Sequence, residues 1–408
     1  MLLTCSCFAA EKSPIAISWF LTTAENDETL IYQNEKISFL KQSSSNTPFL
    51  NEVEFRTKID KFESDRQSYA IRLKPNGWGE ARDGEIVYHT TLKYNQTQRD
   101  LLLNNALKKR YDIVLDYLHH KQMIVLNEAL LILHEERMSV LKQSTDDINF
   151  NLNELIDAEN DMIQSELNLI NLKNAIVNIE DKIRRSITVA DAILFDTGGM
   201  IGIGQIERMV ESINMAEEHE HVHLEEARLN WELAGAMYRL EQSESRRYLT
   251  FIEAAYNMDN RYEFDKSVSI EFGISIPIVN PNRLDTNRRT LNTLKAVSDY
   301  ANLKREMTEK TTIFSRDIKR LISQYKVLQE KKEGSRSQSS LDIYRRMSGV
   351  SPLVLLKLKE SVLKTDIAIQ KITHQIYEKY LNFLDISGKL SEKPLRNYLS
   401  DNSEVVVQ

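Results

Sequence analysis

The chain has 408 residues, enough for two or three ordinary domains, yet it carries only 12 glycines and 7 prolines. Breakers this sparse, with 28% of residues charged, exclude a chain of many short elements and favour long helices. A net charge of −7 argues against nucleic acid as a partner, and no apolar run reaches the roughly eighteen residues a transmembrane helix needs, so a membrane role would have to come through strands.

Residues 1–10 read as the remnant of a secretory signal, with a small-residue cleavage site near Ala9 or Ala10. Cys5 and Cys7 are the only cysteines, so cleavage would leave no thiol for a disulfide or a thiolate metal site. An uncleaved start and a lipid on Cys5 are the alternatives. Residues 11–48 form an N-terminal helix and linker, with Trp19, Phe20, Leu30, Ile37 and Leu40 in the helix and a break at Ser43 to Pro48.

Two strands are expected over 51–75. The first sets Val53, Phe55 and Ile59 on one side and Glu52, Glu54, Arg56 and Lys58 on the other. The second alternates Tyr69, Ile71 and Leu73 with residues that include Arg72. Each is about the length of a tilted bilayer-spanning strand. A helix over 85–143 follows, with one seam through Leu103, Ala106, Ile113, Tyr117, Ile124, Leu131 and Met138, and a second through Leu115, Leu118, Val125, Ala129 and Ile132. Two seams imply two helical neighbours. The return helix, 152–190, carries the rows Leu155, Met162, Leu169, Ile176, Ile183 and Ile156, Ile163, Ile170, Val177, and a further helix is expected over 205–245.

A second pair of strands lies within 247–278. In the later one Val268, Ile270, Phe272, Ile274, Ile276 and Ile278 alternate with Ser267, Ser269, Glu271, Gly273 and Ser275. Helices over 283–345 and 352–388 complete this half, and 391–408 reads as a tail. The order strand, strand, long helix, helix thus occurs twice, once in 49–245 and once in 246–390. Leu155, Met162, Leu169, Ile176 and Ile183 return 200 positions later as Leu355, Val362, Ile369, Ile376 and Phe383, an offset that is not a multiple of seven. Four amphipathic strands cannot close a barrel, so strands that span a membrane here would require several copies of the chain.

This order, the strand running through Ile276-Pro277-Ile278 into a long helix, the segment Tyr111-Asp112-Ile113-Val114-Leu115-Asp116-Tyr117 and the turn Ser348-Gly349-Val350-Ser351-Pro352 resemble the TolC-like outer-membrane factor family. The resemblance covers nearly the whole chain. It implies a homotrimer whose duplicated repeats form a 12-stranded β-barrel in the outer membrane of a Gram-negative bacterium, continued by a helical periplasmic tunnel. The implied role is an exit duct for efflux or type I secretion, without a cofactor or chemistry of its own. The implied partners are a periplasmic adaptor, an inner-membrane transporter acting through it, and outer-membrane lipid.

On that reading the apolar strand residues, from Val53 to Leu73 and from Val268 to Ile278, face lipid. Glu52, Glu54, Arg56, Lys58, Arg72, Ser267, Ser269, Glu271 and Ser275 face the pore. The helical tips expected to meet the adaptor hold Asp147, Asn149 and Asn151 in one half and Gly349, Val350 and Ser351 in the other. Asp157, Asp161 and Glu360, near those tips, are the candidates for an acidic aperture.

One string suggests chemistry. His219-Glu220-His221-Val222-His223 satisfies H-E-x-x-H, placing His219 and His223 on one helical face as zinc ligands require. Its surroundings, Glu217 to Glu226, read equally as a hydrated acidic helix face, and no third histidine follows at the extended-motif spacing. His120 and His134 lie on a helix seam, where a packed histidine beside a carboxylate is the commoner arrangement. The alternatives to a duct are a soluble coiled-coil scaffold whose strands form small oligomerisation sheets and, more remotely, a periplasmic zinc metallopeptidase.

Overall fold

The computed structural model describes residues 14–43, 48–59, 67–145, 150–187, 193–215, 221–246, 248–257, 267–276, 283–333 and 351–406. Helix dominates, and the duplicated order is present. Strands β1 (Leu50–Ile59) and β2 (Gln67–Pro75) precede helices α3 (Glu80–Gln143) and α4 (Leu152–Ser186). Strands β3 (Leu249–Asn257) and β4 (Val268–Ile274) precede α7 (Arg283–Glu333) and α8 (Pro352–Ile386). Before the first repeat lie α1 (Ile17–Thr22) and α2 (Glu28–Gln42), and between the repeats lie α5 (Ile203–Met215) and α6 (Val222–Ser245).

Local chemistry explains three of the helix starts. Helix α3 starts five residues before the periodicity suggests, because the Glu80 carboxylate accepts from the Gly77 N–H at 2.7 Å and satisfies a donor at the helix start. Asn151 caps α4 by accepting from Asn153 N at 3.1 Å, and Pro352 opens α8 where a missing N–H costs nothing. The single helix expected over 205–245 is instead the pair α5 and α6, and residues 216–220 lie outside those described.

The chain forms two compact units, each discontinuous in sequence. One comprises Met1–Glu28, Leu102–His221 and Met307–Gln408, and the other Thr29–Leu101 and Val222–Glu306. In the first, Phe20, Tyr111, Tyr117, Ile183, Ile318, Tyr380 and Phe383 are fully buried. The segment read as a tail is packed here, with β5 (Arg396–Asn397) paired to β6 (Glu404–Val405). Tyr111 Oη donates to Arg396 O at 2.8 Å and accepts from Tyr398 N at 3.1 Å. Ile201 N donates to Leu399 O at 2.8 Å, and Asp401 N to the carbonyl of Gly199, whose φ of +85° suits glycine. Residues 198–202 therefore form a turn, clasped by Leu399 and Asp401, that leads into α5.

The second unit holds a four-stranded antiparallel sheet in the order β1-β2-β3-β4, so β2 pairs with β3 and joins the hairpins of the two repeats. Register sorts the side chains by face. Val53, Leu73, Ile252 and Phe272 form one row, and Phe55, Ile71, Ala254 and Ile270 the next. On the opposite face Glu54, Arg72, Glu253 and Glu271 align. Strand β3 carries a bulge: Leu249 pairs with Ile274 but Phe251 with Gly273, so Thr250 is the extra residue and the alternation inverts across it. Phe251 consequently falls on the polar face, where its ring covers Gly273 and lies 3.8 Å from the Arg72 guanidinium carbon.

A Cβ on residue 273 would collide with the Phe251 ring and with Thr250 Oγ1. Gly273→Val should therefore lower stability by about 1–3 kcal/mol. Ser269→Val, on an exposed position of the same strand and face, should change it by less than about 0.5 kcal/mol. Thermal denaturation in detergent, followed by circular dichroism, reads the difference.

Candidate functional site: a two-faced sheet and a buried charge cluster

The sheet's apolar face is uncovered within one chain: Phe55 is 79% exposed, Ile270 65% and Ile274 71%. Val53, Ile59, Tyr69, Ile71, Val268 and Phe272 share this face and are exposed, while Leu73 is partly covered. Ile276 lies just beyond β4 and is exposed, and Ile278 lies outside the described residues. So large an apolar surface on a folded unit requires an apolar environment or a partner.

The polar face is a network of charges. Arg72 Nε donates to Glu253 Oε2 at 2.6 Å, Arg56 reaches the same oxygen at 3.3 Å, and Lys74 bonds Glu52 at 3.0 Å and also Glu54. Glu52, Glu54, Glu253 and Glu271 are balanced by Arg56, Lys58, Arg72 and Lys74, so the described residues of this face carry no net charge. Ser269 and Glu271 belong to it, and Ser275 lies past the end of β4 with its N–H bound to Tyr248 O at 2.8 Å. Ser267 departs from the expected water-facing position. It precedes β4, its backbone has left the extended conformation, and it is buried at 2% exposure.

In the other unit, two of the three aperture candidates come together. Arg137 Nη1 on α3 lies 3.0 Å from Asp161 Oδ2 on α4 and 3.7 Å from Glu360 Oε2 on α8. His134 Nε2 stands 3.5 Å from Glu360 Oε1, its Nδ1 pairs with Ser165 Oγ at 2.9 Å, and Lys364 Nζ reaches Glu360 at 2.6 Å. Burial alone would raise the Glu360 carboxyl, but the Lys364 hydrogen bond and the neighbouring positive charges outweigh it and hold the group below the ordinary value. Asp157 stays exposed one turn away. Arg137 was not singled out by periodicity, although its spacing of three from His134 puts both on one helix face.

His134, Asp161 and Glu360 also form the one set of ligand-type groups, among the described residues, whose donor atoms lie within 4.8 Å of one another. Arg137 and Lys364 already neutralise both carboxylates, so the cluster reads as an ion-paired tie between three helices rather than a cation site. His219 lies outside the described residues, and His223, near the start of α6, belongs to no such set. Of the tip residues, Asn151 and Ser351 are the N-caps of α4 and α8, while Asp147, Asn149, Gly349 and Val350 lie outside the described residues. Higher on the same helices, the His119 and His374 rings stack with centroids 4.2 Å apart. Burial, then the nearby His374, His120 and Lys371, push His119 down to about 4.

Two measurements test these clusters. Glu360→Gln removes the buried carboxylate shared by Arg137, His134 and Lys364, leaves Arg137 only the half-exposed Asp161, and should destabilise by about 1–3 kcal/mol. Asp161→Asn removes a half-exposed partner and should cost less than about 1 kcal/mol, both read by denaturant unfolding. His119 is neutral in the folded state, whereas the unfolded chain takes up a proton below its ordinary value of 6.5. Stability should therefore fall as pH drops from 6.5 towards 4, and His119→Phe should flatten that slope in melting temperatures recorded across the range.

No family model matches the sequence, and no curated protein matches it. Solved structures do match. The outer membrane protein VceC of Vibrio cholerae aligns with a TM-score of 0.65 at 12% identity, over 91% of this chain and 96% of that one. The outer-membrane channel OprN aligns at 0.66 and 11% identity, over 91% and 90%. The MtrE outer membrane channel of Neisseria gonorrhoeae, in its open state, aligns at 0.60 and 11% identity, over 95% and 90%. At such identities the likeness is one of fold, and it spans almost the full length of both partners: this chain has the TolC-like fold of those outer-membrane channels.

Proposed function

We propose that the protein is the outer-membrane exit duct of an efflux assembly, acting as a homotrimer. Three sheets would close into a 12-stranded barrel with lipid outside and water within, and the helices would continue it as a periplasmic tunnel. The observation that carries this reading is the sheet itself, with an apolar face uncovered, a charge-balanced face opposite, and edges at β1 and β4 that pair with no other strand among the described residues.

The helices support the same assembly. The row Leu155, Met162, Leu169, Ile176, Ile183 of α4 is wholly or partly covered within the chain, whereas Ile156, Ile163, Ile170 and Val177 stand about half exposed. Val125 and Ile132 on α3 are likewise uncovered, at 60% and 55%. Seams spaced by sevens and left open in one copy fit a helix of the next. A periplasmic adaptor at the helical tips and an inner-membrane transporter acting through it would complete the path and supply its energy. Small molecules are the cargo this reading favours, and secreted protein is the second possibility.

Planar-bilayer recording tests the proposal. Protein extracted from membranes in detergent should have three times the chain mass and give stable conductance steps. A water-soluble monomer without conductance would point to the coiled-coil scaffold instead. Placing Glu at Phe272 or Ile270 should block insertion, since a charge facing lipid at mid-depth costs roughly 2–4 kcal/mol in each copy for the basic residues and somewhat less for Glu.

A further inference from the structure

One titratable pair belongs to neither the sheet nor the Glu360 cluster, and it lies within a single chain, independent of how copies assemble. His119 on α3 and His374 on α8 stack face to face, with ring centroids 4.2 Å apart and planes inclined by 16°. Neutral imidazoles pack in this way as other flat rings do. Two imidazolium ions at the same separation would repel one another across a half-buried contact, where water screens poorly.

The surroundings of the two rings are unequal. His374 has anions near it: its Nε2 lies 3.7 Å from Asp116 Oδ1 on α3, and Glu378 on its own helix adds a second negative charge. Burial lowers His374, and these two carboxylates partly offset that. The charges that bear on His119 are His374 and Lys371 from α8 and His120 from its own helix, all cationic or able to become so. His119 Nδ1 is buried and has no hydrogen-bond partner, so a proton placed there finds no acceptor. A first proton is therefore accommodated on His374, beside Asp116, whereas a second on His119 is not.

We propose that this stack is an acid-operated joint, which holds α3 to α8 while His119 is neutral and lets the two helices part at this level once both rings are protonated. In the packed state burial, followed by the charges of His374, His120 and Lys371, pushes His119 down to about 4. In a parted state, open to water, it returns to its ordinary value of 6.5. The parted state binds the proton more tightly, so acidification draws the equilibrium towards it, by up to about tenfold for each pH unit between 6.5 and 4. Asp112, two turns before His119 on α3, acts in the opposite direction: burial raises its carboxyl to about 6, so its protonation favours the packed state. On the duct reading, the joint would slacken the tunnel wall in acid.

Hydrogen exchange of the full chain in detergent, corrected for the intrinsic pH dependence of exchange, reads the joint. Peptides covering Leu115–Met123 and Gln370–Glu378 should lose protection between pH 6.5 and 4.5, by up to about a hundredfold, while α5 keeps its own. His119→Phe and, separately, His374→Phe keep a flat ring in the stack and remove one of the two charges, so each should abolish most of the loss. Asp112→Asn should steepen it. Unchanged protection in the parent chain, or an equal loss in the parent and either Phe variant, would overturn the joint. Should the Phe variants fail to fold, the parent's own profile decides. A loss centred on those two peptides supports the joint, and one spread evenly along α3 and α8 counts against it.

Discussion

The structure turns on a sheet that one chain cannot finish. Every backbone N–H and C=O removed from water needs a partner, and the outer edges of β1 and β4 find none among the described strands. The uncovered side chains repeat the problem on one face, where Phe55, Ile270, Phe272 and Ile274 stand more than half exposed. On the proposed reading, closing the ring would remove the edges, and lipid would accommodate the face. Two deficits that would each favour aggregation in a soluble monomer become complementary in an assembled barrel.

The polar face obeys a different rule. On the proposed reading it lines a pore, where charges are hydrated, so their pairing would add little stability but would set what the wall offers to a solute. Glu253 holds both Arg56 and Arg72, Lys74 bonds two glutamates, and the face sums to zero. As a pore wall, a face without net charge would not reject either sign of solute by its field alone. The cluster of His134, Arg137, Asp161 and Glu360 is drier, and there the same ion pairs tie α3, α4 and α8 together. Removing one buried partner matters more than removing an exposed one because the orphaned charge, not the lost attraction, dominates the cost.

Much of this was readable from one-dimensional pattern. The alternation at Val53, Phe55, Ile71, Ile270 and Phe272 reports a two-faced strand because side chains in extended backbone flip at every residue. Of the two rows on α4, the one through Leu155, Ile176 and Ile183 packs within the chain, and the one through Ile156 and Val177 stands open. The 200-residue echo of Leu155, Met162 and Leu169 reports duplication because helical repeats alone would not produce it. The deviations were local. Ser267 fell outside the strand, Leu249 and Phe251 inverted around a bulge, and residues near the end of the chain packed against Tyr111 and Ile201 instead of trailing. A bulge and a turn each depend on the partner strand or segment, which period alone does not name.

By itself, the sequence determined the element types, the two faces of each strand and the repeat. All of these follow from the periodicity of side chains along a regular backbone. Only the tertiary structure decided that β2 pairs with β3, that Arg137 bridges Asp161 and Glu360, and that Phe251 lies over Gly273. Those are contacts between residues far apart in the chain. They depend on register and on which helix faces which, and a difference of one residue in either would exchange the partners.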